Sequence, residues 1–369
     1  MTSYRKTTLE LLEIKEPLLS QAPLLIDDWT LAFRLGATGK MLWYIAKYRH
    51  MLYAEFSIPK KNGELRRVFN PNHILRMFHQ QLRTQLLAPL CASLGPHVAA
   101  YQVGRSTLDA ARVHLRDCPV CDATTQSGTR TIRHTCPRAG TKFKLDLKDF
   151  FLSTTRAQIR RYFHETVGYN HYVSSLLGQL LTTTYFDFQS RLLHDGVPPG
   201  ALIAGDICNL VCDATLDKYV FAALTTLGDG WRYTRYADDL YFSHSEKLSA
   251  KQITTAVQSV AACITRAGYR PNWKKYRVQR CDAAQHMLGL TINRKLNIPA
   301  YEYRRMHMLL YKAYTHGFIA QLSYARKADL TALHNWINGK LNYFHTINPA
   351  KAAKLQRLYT QALGKQEVP

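Results

Sequence analysis

Two stretches of the sequence carry acidic residues where the neighbouring residues favour a β-strand. Residues 235–243 read RYADDLYFS and include Asp238 and Asp239, and residues 142–151 read KFKLDLKDFF and include Asp146. Strand-forming side chains pack against a core, so an acid among them needs a partner that offsets its desolvation. A divalent cation is one such partner. The alternative for Asp238 and Asp239 is the tight turn of a surface hairpin, which tolerates Asp.

Asp146 and the paired acids suit phosphoryl-transfer chemistry if they lie on neighbouring strands. In residues 142–147 the hydrophobic residues alternate with Lys144 and Asp146, so we expect Asp146 to project from the opposite face and to be open to a cleft. Three carboxylates that come together repel one another and favour cation binding. Two Mg²⁺ ions about 3.5–4 Å apart are the usual arrangement for in-line phosphoryl transfer. We therefore predict two Mg²⁺ ions held by Asp146, Asp238 and Asp239.

The charge of the chain predicts a polyanionic partner. Its 369 residues include 49 Lys and Arg against 26 Asp and Glu, a formal net charge of +23. An excess of this size attracts nucleic acid. Basic residues cluster within residues 60–67, 142–148 and 266–280, which flank the acidic stretches. We expect these clusters to line a nucleic-acid groove.

Hydropathy favours a cytoplasmic protein without a membrane partner. No run approaches the roughly 18 apolar residues of a membrane span. The N-terminal stretch MTSYRKTTLELLEIKEP alternates charges where a signal peptide needs an apolar core. In a reducing compartment the eight Cys should be thiols or metal ligands.

The elements that must position the acids mix helices and strands. Residues 1–50 favour helices, and residues 52–71 favour two strands joined by a Lys-Asn-Gly turn. Apolar residues recur at helical steps over residues 333–344, and Asn348 and Pro349 then predict the cap and first residue of a last helix. These patterns indicate an α+β fold.

The ordered set of motifs resembles the reverse transcriptases, particularly the bacterial retron-type branch. The strand that leads into DFF and the YADD hairpin resemble motifs A and C of that family. KKNGELRRVFNP resembles the basic fingers segment, AYQVGRSTLDAARVH the template-contacting region, and GVPPGALIAGDICNLVCDATLD the motif B turn and helix. PNWKKYRV resembles motif D, HMLGLTI the primer-grip hairpin, and LHNWINGKLNYFHTINPAKAAKLQRLY the thumb. The resemblance covers residues 45 to 363.

This resemblance implies a right-hand polymerase fold with fingers, palm and thumb. The palm would combine an antiparallel sheet with helices, and the thumb would be helical. The expected organisation is an N-terminal helical region (1–50), fingers (51–114), an insertion (115–140), a palm with an interleaved fingers segment (141–298) and a thumb (299–369).

The resemblance also implies roles for individual residues. Asp146 and Asp238 would be the bridging Mg²⁺ ligands, with Asp239 a less essential neighbour. Lys275, or else Lys274, would protonate the leaving pyrophosphate.

Five further residues would contact the nucleotide. Arg66 and Arg67 are candidates for clamping the triphosphate, and the sequence does not choose between them. Phe151 would exclude a ribose 2′-hydroxyl, which favours dNTPs; its alternative is an ordinary core position. Pro199 and Gly200 would form the motif B turn beside the nucleotide.

Several motifs depart from the retron pattern. Where retron enzymes usually have PQG followed by SP, this chain has Pro198-Pro199-Gly200 followed by Ala204-Gly205, so a glutamine that normally touches the nucleotide is replaced. The Asn-Ala-x-x-His and Val-Thr-Gly signatures are each half kept, as AARVH at 110–114 and MLG at 287–289. These departures favour the sister groups of bacterial defence-associated reverse transcriptases.

The insertion has a spacing that suits a structural zinc site. Cys118 and Cys121 form one close pair, and His134 and Cys136 form a second. Two pairs of such ligands can hold Zn²⁺ in a tetrahedral site, and the alternative is a loop of free thiols. Elemental analysis of the purified protein decides between them, because well below one zinc per chain would exclude the site.

The function predicted from these motifs is RNA-directed DNA synthesis in antiviral defence, on a dedicated noncoding RNA template. Its partners would be that RNA, the DNA product, dNTPs, and either an effector protein or a second copy of the chain. One alternative is a retron enzyme, whose structured RNA also supplies a priming 2′-hydroxyl and stays linked to the DNA. The other is a non-catalytic RNA-binding module, which the presence of Asp146, Asp238, Asp239 and Phe151 disfavours.

Overall fold

The described residues form both helices and short strands, which confirms the predicted α+β class. The computed structural model describes residues 18–60, 63–115, 140–187, 190–280, 283–293 and 295–365. The α-helices are α1 (Asp28–Arg34), α2 (Gly39–Tyr48), α3 (His73–Leu82), α4 (Ala88–Cys91), α5 (Thr107–Val113), α6 (Phe150–Ser153), α7 (Arg156–Arg161), α8 (His171–Leu180), α9 (Ala204–Cys212), α10 (Lys218–Thr226), α11 (Ala250–Arg266), α12 (Ala300–His316), α13 (Leu322–Ala325), α14 (Leu330–Ile347) and α15 (Pro349–Gly364). The strands are β1 (Tyr53–Pro59), β2 (Leu65–Pro71), β3 (Lys142–Asp146), β4 (Thr183–Asp187), β5 (Leu192–Gly196), β6 (Trp231–Tyr236), β7 (Asp239–His244), β8 (Arg277–Gln279), β9 (His286–Met287) and β10 (Leu290–Thr291).

A four-stranded sheet with the order β6-β7-β3-β8 carries the predicted acids. The strands β6 and β7 form the YADD hairpin, and β3 lies beside β7. This order confirms the prediction that the strand ending in Asp146 neighbours the hairpin. Leu145 on β3 and Leu240 on β7 are fully buried, so the hydrophobic residues of both strands anchor the sheet in the core.

The chain divides into two compact units. Unit 1 comprises Met1–Ser106, Lys144–Tyr241 and Ser249–Arg277; unit 2 comprises Thr107–Phe143, Phe242–Leu248 and Val278–Pro369. The three acids of the motifs all belong to unit 1. The domain boundaries expected from the family resemblance stay a prediction.

The predicted basic hairpin is present in unit 1. The strands β1 and β2 pair in antiparallel register, with Ser57 opposite Arg67 and Ile58 opposite Arg66. Because side chains alternate along a strand, the two arginines project from opposite faces of the hairpin. The two guanidinium groups therefore have different surroundings.

The C-terminal helices of unit 2 also agree with the sequence pattern. Leu333, Ile337, Leu341 and Phe344 are buried along one face of α14. The Asn348 side chain then accepts a hydrogen bond of 3.1 Å from the backbone N of Lys351 and caps α15, which begins at the proline. Within the described ranges, every helix is too short or too polar to cross a bilayer.

Candidate active site

The structure brings together the three acids that the motifs single out. Asp146 ends β3, Asp238 lies in the turn between β6 and β7, and Asp239 begins β7. One carboxylate oxygen from each lies within 4.8 Å of the others. Ala237 has a φ of 56°, a left-handed conformation that is uncommon for a residue with a Cβ. This sharp turn presents both hairpin acids beside Asp146, and we call the three acids the acid cluster.

Asp146 is more enclosed than the sequence predicts. Its residue exposure is 1%, so the expectation of a carboxylate open to a cleft is wrong. Asn272 donates from its side-chain amide to Asp146 Oδ1 at 2.9 Å and from its backbone N to Asp146 O at 2.7 Å. Lys275 Nζ donates to Oδ2 at 2.6 Å. Strand alternation predicted the face of Asp146 correctly, but the segment before β8 covers that face.

Lys275 rather than Lys274 lies at the acid cluster. The Lys275 ammonium also approaches Asp238 Oδ2 at 3.9 Å, and its side chain is 52% exposed. Burial alone would lower the pKa of Lys275, but the hydrogen bond to Asp146 and the charges of the three acids raise it. Lys275 is thus the one of the two candidate lysines that contacts the acids, and its raised pKa keeps its ammonium group protonated at neutral pH.

Lys144 is a second lysine at the acid cluster, and it was not among the predicted site residues. Its Nζ lies 2.6 Å from Asp239 Oδ1 and 5.4 Å from the centre of the Tyr241 ring. The Tyr241 hydroxyl donates to Asp239 Oδ2 at 3.2 Å. The available signal was its position two residues before Asp146, which places both side chains on the same strand face.

The electrostatics of the acid cluster suit a divalent cation. Burial raises the pKa of Asp238 and of Asp239, and the negative charge of Asp239 raises that of Asp238 further. Three carboxylates face two ammonium groups, so one negative charge remains uncompensated within this group of five side chains. All the acidic ligand atoms are hard oxygens, which Mg²⁺ prefers. The residues present therefore fit the predicted magnesium site.

Only part of the basic stretch at 142–148 fits the expectation that it lines a groove. Lys142 is buried, and its Nζ donates to the carbonyl oxygen of Ile292 at 2.6 Å. Lys144 is held by Asp239. Lys148 is exposed. The expectation is wrong for Lys142, whose ammonium group is buried against a carbonyl oxygen, and stays a prediction for Lys144 and Lys148.

Arg66 and Arg67 have different environments. Arg67 donates from Nε to Glu55 Oε1 at 2.6 Å and from Nη1 to the carbonyl oxygen of Phe186 at 2.8 Å, and its guanidinium lies over the Tyr185 ring. Arg66 is exposed on the opposite face, where its charge partly offsets the burial that raises the pKa of Tyr101. Arg67 thus joins the β1–β2 hairpin to the β4–β5 hairpin, while Arg66 remains available to a ligand.

The Pro199-Gly200 turn is fixed against the face of β2 that carries Arg66. The backbone N of Phe69 donates to the carbonyl oxygen of Pro199 at 2.8 Å. Gly200 has a φ of 104°, and a Cβ there would lie 2.7 Å from Val68 Cγ1. Both the backbone conformation and the close approach require glycine. The backbone hydrogen bond and the glycine therefore hold the turn against β2 without the glutamine of the retron pattern.

The remaining predicted residues are Phe151, which the structure describes, and the four candidate zinc ligands, which it does not. Phe151 lies in the four-residue helix α6, where it is half-buried, so it is not an ordinary core residue. The four candidate zinc ligands, Cys118, Cys121, His134 and Cys136, lie outside the described residues, so the zinc site stays a prediction.

A second group of charged side chains in unit 1 was missed by the sequence analysis. Arg235, fully buried on β6, donates to both oxygens of Asp217, and its Nη1 donates to Asn209 Oδ1 at 2.7 Å. His97 Nε2 lies 3.2 Å from Asp217 and 3.1 Å from Asp213. We call these five residues the Arg235 network. Asn209, Asp213 and Asp217 recur at steps of four residues, but His97 and Arg235 lie far from them in sequence, so spacing gave no signal for the pairing.

Residues 58–292 match the family described as "Reverse transcriptase (RNA-dependent DNA polymerase)". The chain is also similar to curated retron reverse transcriptases. It is 28% identical to the retron Mx65 reverse transcriptase of Myxococcus xanthus, over 84% of this chain and 64% of that protein. It is 28% identical to the retron Mx162 enzyme of the same organism, over 71% of this chain and 52% of that protein. The retron Ec73 enzyme of Escherichia coli is 25% identical over 84% of this chain and 87% of that protein. The chain thus spans less than two thirds of both Myxococcus relatives.

Two solved structures also resemble this chain at low sequence identity. The telomerase of Candida albicans, in complex with a fragment of telomeric RNA, has a TM-score of 0.45 and 12% identity, over 85% of this chain and 63% of that one. The apo telomerase of Candida tropicalis has a TM-score of 0.44 and 15% identity, over 70% of this chain and 59% of that one.

Proposed function

The chain belongs to the reverse transcriptase (RNA-dependent DNA polymerase) family, and from this premise we propose that it synthesises DNA on an RNA template at the acid cluster. The observation that carries the proposal is the approach of Asp146, Asp238 and Asp239 within 4.8 Å of one another. All three lie inside the matched range of the family. A non-catalytic RNA-binding module would not need three acids at one point of the sheet.

In this proposal Asp146 and Asp238 hold two Mg²⁺ ions. Bound Mg²⁺ supplies charge stabilisation to the phosphate that is transferred and activates the attacking hydroxyl. Asp239 is the less essential neighbour; its oxygens pair with Lys144 and Tyr241. This assignment agrees with the lesser role that the resemblance implied for Asp239.

The chain's own cations and aromatic residues bind and orient the nucleotide. Arg66 offers a guanidinium that can bind a triphosphate with two parallel hydrogen bonds. Lys275 holds a proton on Nζ, and its half-exposed side chain can turn from Asp146 toward a leaving pyrophosphate. Phe151 blocks the space that a ribose 2′-hydroxyl would need, which favours dNTPs. The Pro199-Gly200 turn supports the same pocket from the β2 side.

We propose a dedicated noncoding RNA as the template and anti-phage defence as the setting. The +23 charge supports an RNA partner, and the altered motif B and half-kept signatures support a defence-associated group. The similarity to three retron reverse transcriptases favours a second candidate, an enzyme whose DNA product stays linked to its RNA. A cytoplasmic location, and an effector protein or second copy as partner, belong to the same proposal.

Primer extension tests the activity. The wild-type protein should extend a primer on an RNA template when Mg²⁺ and dNTPs are present. Asp238→Asn keeps the side-chain size and removes a metal-binding charge, so we expect extension to fall by about 1000-fold or more while the melting temperature is kept. Asp229→Asn makes the same chemical change at an exposed position of unit 1 and should extend normally. Normal extension by Asp238→Asn would show that the active site lies elsewhere.

Sequencing the nucleic acids that co-purify with the protein separates the two candidates. A discrete noncoding RNA with free complementary DNA would support the first. DNA joined to the RNA through a 2′-hydroxyl would identify the retron reaction. The absence of any specific RNA would contradict both.

A further inference from the structure

Tyr101 has a backbone conformation that tyrosine seldom adopts. Its φ is 59°, in the left-handed region where a Cβ approaches the neighbouring carbonyl oxygen. Its side chain is nevertheless 51% exposed, so burial of the ring does not account for the conformation. Residues held in this way persist only where their surroundings determine the backbone, and they are frequent at ligand-binding sites.

The loop that carries Tyr101 is fixed from three directions. The backbone N of Ala99 donates to the carbonyl oxygen of Arg235 at 3.0 Å. The Asn209 side-chain amide donates to the carbonyl oxygen of Ala100 at 2.8 Å. Arg105 Nη1 donates to the carbonyl oxygen of Val98 at 2.7 Å. The Arg235 network therefore holds the loop that carries Tyr101, through the backbone carbonyl of Arg235 and the side-chain amide of Asn209.

The Tyr101 ring lies directly on Gly205 in the first turn of α9. A Cβ at Gly205 would lie 2.4 Å from Tyr101 Cγ and 2.7 Å from each Cδ, distances that a real Cβ does not adopt. The glycine, which stands where the retron pattern has proline, thus creates the space for the ring. Burial and the charge of Asp238 raise the pKa of the Tyr101 hydroxyl.

The ring of Tyr101 also contacts the ring of Phe151. The two centroids are 6.3 Å apart at an interplanar angle of 64°, an edge-to-face geometry. Phe150 contacts Phe151 from another side, with centroids 5.1 Å apart. Phe151 lies in the four-residue helix α6 and is only half-buried, so these two rings limit where its side chain can go.

We propose that Tyr101 is a positioning residue that keeps the Phe151 ring where it excludes the ribose 2′-hydroxyl. The proposal rests on the proposed polymerase function. A half-buried ring without a support can change rotamer and open the pocket to rNTPs. An edge-to-face contact shifts such an equilibrium by about three- to ten-fold. Tyr101 therefore contributes to sugar selectivity without touching the nucleotide.

The test measures the ratio of kcat/KM for a dNTP to that for the matching rNTP on one RNA template. We expect Tyr101→Leu to lower this ratio about three- to ten-fold. Tyr101→Phe keeps the ring and should keep the wild-type ratio. Gly205→Ala puts a methyl group into the ring position, and we expect it to lower the ratio in the same direction as Tyr101→Leu.

A double-mutant cycle shows whether Tyr101 acts through Phe151. Phe151→Ala should lower the ratio more than Tyr101→Leu, and adding Tyr101→Leu to Phe151→Ala should change it no further. An unchanged ratio in Tyr101→Leu would overturn the proposal, as would an equal loss in the Phe151→Ala background. Failure of the wild-type protein to make DNA would instead refute the proposed function, and the inference with it.

Discussion

The acid cluster and the Arg235 network are both groups of carboxylates in unit 1, yet their charges are balanced in opposite ways. In the acid cluster, burial raises the pKa of Asp238 and of Asp239. In the Arg235 network, burial would also raise the pKa of Asp217, but the charge of Arg235 and hydrogen bonds from His97 and Arg235 hold it well below its usual range. The acid cluster has fewer cations than carboxylates, whereas Asp217 in the Arg235 network is paired with a buried guanidinium.

The difference follows from the cations that each group contains. The Arg235 guanidinium is fully buried and binds both Asp217 oxygens. If this pair separated, each partner would be left as an unpaired buried charge. The lysines at the acid cluster are point charges on flexible side chains, and Lys275 is half exposed. Carboxylates paired with lysine can therefore exchange their partner for a metal ion, whereas those paired with buried arginine maintain the fold.

The largest expected effect separates the two groups by stability. Asp217→Asn leaves the buried Arg235 charge unpaired, and we expect it to lower the free energy of unfolding by roughly 3–5 kcal/mol. Asp238→Asn removes a charge that Asp239 repels, so the free energy of unfolding should stay the same or rise slightly. Urea unfolding of both variants measures the contrast. Equal midpoints for Asp217→Asn and the wild type would refute the structural role of the network.

A smaller effect concerns metal affinity at the acid cluster. Lys144→Met removes an ammonium group that competes with a cation for Asp239, so we expect Mn²⁺ to bind about tenfold more tightly. The same variant should melt a few degrees lower in EDTA, because the carboxylates then repel one another. Calorimetric titration and thermal melting measure both quantities.

Lys148→Met is the matched control for this experiment, since Lys148 is exposed and close in sequence to the same strand. It should change neither the Mn²⁺ affinity nor the melting temperature in EDTA. If Lys144→Met bound Mn²⁺ no more tightly than this control, the ion pair with Asp239 would not compete with metal.

The smallest expected effect is a pH dependence of the Arg235 network. Burial lowers the pKa of His97, but its hydrogen bonds to Asp213 and Asp217 and their charges outweigh burial and raise it. A group whose pKa is raised by folding stabilises the folded state fully at pH values below the pKa that it has in the unfolded chain, which is about 6.5 for His. That contribution is lost as the pH rises through the folded pKa. The wild type should therefore melt at a higher temperature than His97→Gln at acidic pH, and the two melting temperatures should become equal as the pH rises to mildly alkaline values. A constant difference across this range would show that His97 is not protonated in the folded protein.

Local spacing in the sequence was enough to predict several elements correctly. The alternation around Asp146, the two strands of the basic hairpin, and the Asn348 cap all depend on neighbours within a few residues, so the chain itself carries the signal. The same reasoning failed for the exposure of Asp146. Alternation determines which face a side chain takes, but Asn272 and Lys275, which cover that face, lie 126 and 129 residues further along the chain.

The sequence by itself determined the family resemblance, the acids on strand-forming stretches and the basic character that predicts a nucleic-acid partner. Only the tertiary structure distinguished Arg66 from Arg67 and Lys275 from Lys274, because adjacent residues differ in the surroundings that packing gives them. It alone placed Lys144 on Asp239, and Tyr101 between Gly205 and Phe151. Spacing along the chain determines the direction of a side chain relative to its own element. The partner that the side chain meets depends on how distant elements pack, which no short stretch of sequence encodes.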